Sequence, residues 1–73
     1  MKNAEAARVL REIAAFLDMQ DVPFKPRAYE KAADSVLALG DPVEDVYARG
    51  GLRALESIPG VGKSVAAKIE EFL

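Results

Sequence analysis

At 73 residues the chain has room for one small domain, and a domain of this size buries only about 60% of its unfolded surface, so its core must be economical. Cysteine and histidine are both absent, which excludes a disulfide, a structural zinc site, a thiol nucleophile and histidine-based catalysis. With a formal charge of −2, no apolar run of about 18 residues and no signal-peptide pattern, the expectation is a cytoplasmic domain without a membrane partner. Nucleic acid, usually met by a basic surface, would have to be met here by a local patch or with help from a larger protein.

The spacing predicts helices in chain order. Asn3 is placed to cap a first helix running to about Leu17, with Ala6, Leu10, Ile13, Ala14 and Leu17 on one face and Val9 and Phe16 widening it. Phe16 reads as structural, with an interface as the alternative; Arg8 and Glu12 are four apart on the outer side and can pair. After a polar turn from Asp18 to Pro23, Pro26 suits the first turn of a second helix reaching Leu39, with Ala28, Ala32, Val36 and Leu39 inward and Gly40 as its C′ stop. Lys25, Arg27 and Lys31 make this the most basic part of the chain, and Tyr29 adds a phenolic donor four residues from Lys25. The group can grip a phosphate or be an ordinary solvated face diluted by Glu30 and Asp34.

Asp41-Pro42 is an N-cap followed by proline at N1, starting a third helix to about Ala48 with Val43, Val46 and Tyr47 inward. Gly50-Gly51 stops it, and Leu52 to Ser57 forms a short helical turn with Leu52, Leu55 and Ile58 apolar. A last helix carries Val65, Ile69, Phe72 and Leu73 on its core face and Lys68 at the border. No segment alternates with period two, so the fold class is all-α: a compact four-helix domain with a short extra helical turn.

Between the short turn and the last helix stands Ser57-Ile58-Pro59-Gly60-Val61-Gly62-Lys63-Ser64. A P-loop shares the closing Gly62-Lys63-Ser64, but its first glycine would fall on Ser57 and no strand precedes it. A helix-hairpin-helix turn fits better: Pro59 fixes φ, Gly60 and Gly62 allow positive φ or close approach, and the unpaired amides of Gly60 to Ser64 face an anion such as a phosphate. A plain glycine loop between packed helices fits the same residues. Lys68, with its stem on apolar surface, either snorkels or, beside other cations, becomes a nucleophilic amine able to form a Schiff base.

Phe24-Lys25-Pro26-Arg27-Ala28-Tyr29-Glu30-Lys31-Ala32-Ala33, Ile58-Pro59-Gly60-Val61-Gly62 and Ala67-Lys68-Ile69-Glu70-Glu71-Phe72-Leu73 together resemble the N-terminal 8-kDa domain of family X DNA polymerases, and Lys2-Asn3-Ala4-Glu5 is typical of bacterial members. The resemblance spans nearly the whole chain. It implies a helix-hairpin-helix domain over 1–73 with the hairpin at 58–62, binding the downstream side of gapped or nicked DNA and its 5′-phosphate in base excision repair. It further implies an excised N-terminal piece of a longer polymerase, followed by a second hairpin, the polymerase domain and a metal-dependent phosphoesterase domain, acting as a monomer at the bacterial nucleoid. Lys25 and Tyr29 match phosphate-binding positions, and Lys68 matches the lysine that, in the polymerase beta branch, attacks C1′ of a 5′-deoxyribose phosphate as a lyase. The main-chain carbonyls of Glu56, Ile58 and Val61 match those that surround a monovalent cation, sodium or potassium; no other cofactor is implied.

Four positions depart from the polymerase beta pattern. Ala67 replaces a glutamate, Phe24 a histidine, Glu56 a basic residue and Ser64 a phosphate-binding lysine for which Lys63 can substitute. These changes remove candidates for proton abstraction and weaken the phosphate pocket, so DNA binding is expected to survive better than lyase activity. The alternative of a different class is a helical protein-interaction or structural domain without DNA affinity.

Overall fold

A computed structural model describes residues Met1–Leu73 and arranges them as α1 (Asn3–Met19), α2 (Lys25–Leu37), α3 (Val43–Glu56) and α4 (Lys63–Phe72), with no strand. α1 packs on α2, α3 on α4, and α1 also meets α4. Every helix contributes to one core, whose largest fully buried side chains are Leu10, Val36, Val43, Leu55 and Ile69. Burying each of these contributes about 1.5–3 kcal/mol. Between them lie Ala6, Ala7, Ala14, Ala32, Ala33 and Ala66, small side chains that let the helices approach closely.

The first helix does not begin as its sequence predicts. The N-cap position is Lys2, which makes no side-chain cap, and Asn3 is turned inward with 4% of its surface exposed. Its Nδ2 donates to the carbonyls of Val36 (3.3 Å) and Asp41 (3.0 Å), and its Oδ1 accepts the Val43 N–H at 2.7 Å. One amide side chain thus satisfies the chain leaving α2 and the start of α3 together. This displaces a second expected cap. Val43 N–H is the donor that an Asp41 cap would need, so Pro42 takes the N-cap position and the Asp41 carboxylate pairs instead with Arg49 at 3.2 Å. Glu44 in the same turn accepts the Lys2 N–H at 3.0 Å; its own backbone amide, then that of Lys2, holds its carboxyl below the usual range.

In α2 the buried stripe is Tyr29, Ala32, Ala33 and Val36, and Ala28, one position out of phase, is exposed. The helix ends at Leu37, not Leu39. Leu39 N–H bonds to the Val36 carbonyl at 3.3 Å, a tightened last turn that stops the helix without a left-handed residue, and Gly40 has no positive φ. α3 contains the expected break: Gly51, with φ 63° and ψ −147°, kinks it, and the turn from Leu52 onward continues the same element to Glu56. Leu55 and Ile58 are buried there, whereas Leu52 is exposed. Tyr47 ties this element to α4, its hydroxyl donating to Glu70 Oε2 at 2.6 Å; that hydrogen bond, with lesser help from burial, pushes the phenol above its ordinary value.

Candidate nucleic-acid interface

The hairpin is a type II turn. Val61 N–H donates to the Ile58 carbonyl at 2.9 Å across Pro59 and Gly60, and Gly60 has φ 82°, the value that position i+2 requires. Ile58 and Val61 are both buried, so the core grips the turn on either side and leaves Pro59, Gly60, Gly62, Lys63 and Ser64 exposed. Gly62 is the N-cap of α4, extended at φ −94° and ψ −169°, and no side chain caps that helix. The backbone N–H groups of Gly60, Gly62, Lys63 and Ser64 have no partner within the protein. Val61, expected among the phosphate-binding amides, spends its N–H inside the turn and offers only its carbonyl. Of the three carbonyls matched to a cation, those of Glu56 and Val61 accept no hydrogen bond, and that of Ile58 accepts one and keeps a second lone pair. These are hard oxygen donors of the kind a monovalent cation takes; no cluster of acidic side chains offers an alternative site.

The far side of the turn rests on α2. A Cβ added at Gly60 would lie 3.5 Å from Lys31 Cγ and 3.8 Å from Ser35 Oγ, so the Lys31 stem runs past the turn. The basic cluster of α2 is therefore split by its helical phase. Lys31 goes to the hairpin, Arg27 lines a small cavity beside Phe24, and Lys25 faces a larger one.

That larger cavity, about 490 Å³, lies between α1, α2 and α4 and brings together Lys25, Tyr29 and Lys68. Tyr29 is only 6% exposed, its ring forming part of the core. Its hydroxyl has no partner in the chain, yet no buried side-chain polar atom is left unpaired, so this oxygen opens into the cavity. The Lys68 side chain is 46% exposed and its Nζ lies 3.4 Å from Glu71 Oε2. Its ion-pair partner is Glu71, while Lys25, one of the cationic neighbours expected beside it, lines the same cavity. Ile13, Phe16 and Leu17 of α1 form an apolar wall and Glu12 adds a carboxylate to the rim. Of these α1 residues the sequence offers only Phe16 as an alternative interface residue; it is an aromatic at the edge of the apolar stripe that stays exposed, whereas Glu12, Ile13 and Leu17 carry no functional signal. Phe24 and Ala67, two of the departures from the polymerase beta pattern, do not line this cavity.

Fold and hairpin together define an all-helical domain in which a Pro-Gly turn with unpaired backbone donors leads into an uncapped helix. The chain belongs to the helix-hairpin-helix domain family, whose pattern matches residues 1–73. Domains of this family generally bind DNA, which supports a DNA-binding role here. No curated protein and no solved structure gave a match. No helix is long and apolar enough to cross a membrane.

Proposed function

We propose that this chain is the N-terminal domain of a bacterial family X DNA polymerase and holds the downstream side of gapped or nicked DNA by its 5′-phosphate. The observation that carries the proposal is the meeting of Lys25, Tyr29 and Lys68, from two helices, at one open cavity. Two ammonium groups and a phenol offer the charge and donors that a terminal phosphate dianion takes. The free amides of Gly60, Gly62, Lys63 and Ser64 hold a further backbone phosphate, with Lys63 and Lys31 as neighbouring cations. A sodium or potassium ion on the carbonyls of Glu56, Ile58 and Val61 would add positive charge at that phosphate. The acidic balance of the domain is then offset by the polymerase domain of the parent protein, which acts as a monomer at the nucleoid.

A lyase activity rests on Lys68 at the same cavity. After the Lys68 ammonium gives its proton to solvent, the free amine attacks C1′ of a base-free 5′-deoxyribose phosphate and expels water to form an imine. Removal of a C2′ proton sends the electron pair into a C2′=C3′ bond, the C3′–O bond breaks, and the shortened strand leaves with its own 5′-phosphate.

Binding to gapped, 5′-phosphorylated DNA should fall as salt rises. For two to three neutralised phosphates, affinity should drop about 10- to 40-fold between roughly 50 and 200 mM salt. Fluorescence anisotropy across that range checks it. A protein-interaction domain would show no affinity in any salt.

A further inference from the structure

We infer that Glu12 is the group that takes the C2′ proton in the elimination step at this cavity. This rests on the lyase activity proposed for Lys68, and it answers a need that activity leaves open: a Schiff base at C1′ goes no further until a base removes hydrogen from C2′.

The chain has no histidine, and position 67, beside the nucleophile, is an alanine, so the proton acceptor must come from elsewhere in the fold. Glu12 is the only carboxylate on the cavity that holds Lys25, Tyr29 and Lys68. It arrives from α1, while Lys68 arrives from α4, so a sugar seated between the helices meets the amine from one side and the carboxylate from the other. Its side chain is 63% exposed and paired with Arg8 at 3.4 Å, one turn back on the same helix. The pair involves one oxygen, Oε2, and leaves Oε1 free to accept a proton. Glu71 is the competing carboxylate. It contacts the Lys68 amine at 3.4 Å but is not among the residues that line the cavity, so it is the rival that the variants below must separate from Glu12.

The balance of the step is simple. Glu12 Oε1 gains the proton from C2′, the C–H electron pair forms C2′=C3′, and the C3′–O electrons leave with the strand's phosphate. Water then hydrolyses the imine and restores the Lys68 amine, and Glu12 returns its proton to solvent.

The two stages separate in one experiment on the whole chain, using gapped DNA with a 5′-deoxyribose phosphate. Borohydride trapping reads imine formation, and single-turnover release of the shortened strand reads elimination. Glu12→Gln should trap as much adduct as the unmodified chain while elimination slows about 100-fold, within the usual range for loss of a general base. Glu12→Ala should be slowed likewise and partly rescued by added formate, a readout that a merely structural role would not move. Wild-type elimination in Glu12→Gln, or slowing by Glu71→Gln in its place, overturns the assignment while leaving the lyase intact. Absence of any adduct with the unmodified chain refutes the lyase itself and the assignment with it.

Discussion

Asn3→Ala should destabilise the domain by about 3 kcal/mol, the largest loss expected from any single side chain outside the apolar core. The substitution removes three hydrogen bonds and strands the Val43 N–H, which is buried and has no other partner, along with the Asp41 carbonyl. An unpaired buried donor costs about 1–3 kcal/mol by itself, more than the net worth of a typical hydrogen bond. For a domain of this length the loss corresponds to a fall in Tm of about 12–24 °C, a large part of a stability of the order of 5–10 kcal/mol. Thermal and urea unfolding followed by circular dichroism check it. Asn3→Asp should also be destabilised, since it keeps the acceptor but turns a donor into a negative charge facing two carbonyls. Unchanged melting of Asn3→Ala would show that water takes over the bonds and that the amide does not join α1 to the α2–α3 connection.

Lys68→Ala should abolish borohydride trapping on gapped DNA carrying a 5′-deoxyribose phosphate, while Lys25→Ala should only weaken it. The difference follows from the chemistry. An imine needs one particular amine, whereas a phosphate site loses a contact when Lys25 is removed and retains Tyr29 and Lys68. Lys68 is half-exposed and its ion pair with Glu71 lies at the surface, so Lys68→Ala should leave the fold intact and the loss of adduct should not come from unfolding. A trapped adduct that persists in Lys68→Ala would move the nucleophile to another amine. No adduct with the unmodified chain, despite binding of the gapped DNA, would leave the cavity as a phosphate-holding site alone.

The helices were legible because their signals are local. Leu10 and Ala14, or Ile69 with Val65, repeat at helical spacing wherever the chain is read, and Pro59-Gly60 states a turn type in two residues. Asn3 was not legible in the same way. As an isolated residue before an apolar run it reads as a cap, and only the arrival of the α2–α3 connection from far along the chain turns its amide inward. The same long-range contact undid the Asp41 cap. Tyr29 shows a milder version: its neighbour Ala28 fits an apolar face equally well, and a one-residue change of phase buries the ring and leaves the alanine in solvent.

For the candidate site, the family resemblance located Lys25, Tyr29 and Lys68, and periodicity alone would have kept them apart as two unrelated helix faces. The resemblance carried nothing about the α1 side of the cavity. Phe16 and Glu12 belong to it through the packing of α1 on α2 and α4, which no spacing along the chain records. The hairpin was legible as a turn, but the use of Val61 N–H within it was not, because a type II turn and a phosphate compete for the same amide.

The most direct test of the 5′-phosphate site is the affinity of the chain for two gapped DNAs that differ only in the downstream 5′ end, phosphate or hydroxyl, measured at one low salt concentration. The 5′-phosphorylated DNA should bind at least about 10-fold tighter, the worth of one charge-assisted hydrogen bond, and Lys25→Ala combined with Lys68→Ala should remove the preference while the hairpin sustains weaker binding to both. Equal affinity of the unmodified chain for the two DNAs would contradict a 5′-phosphate site at the cavity between α1, α2 and α4.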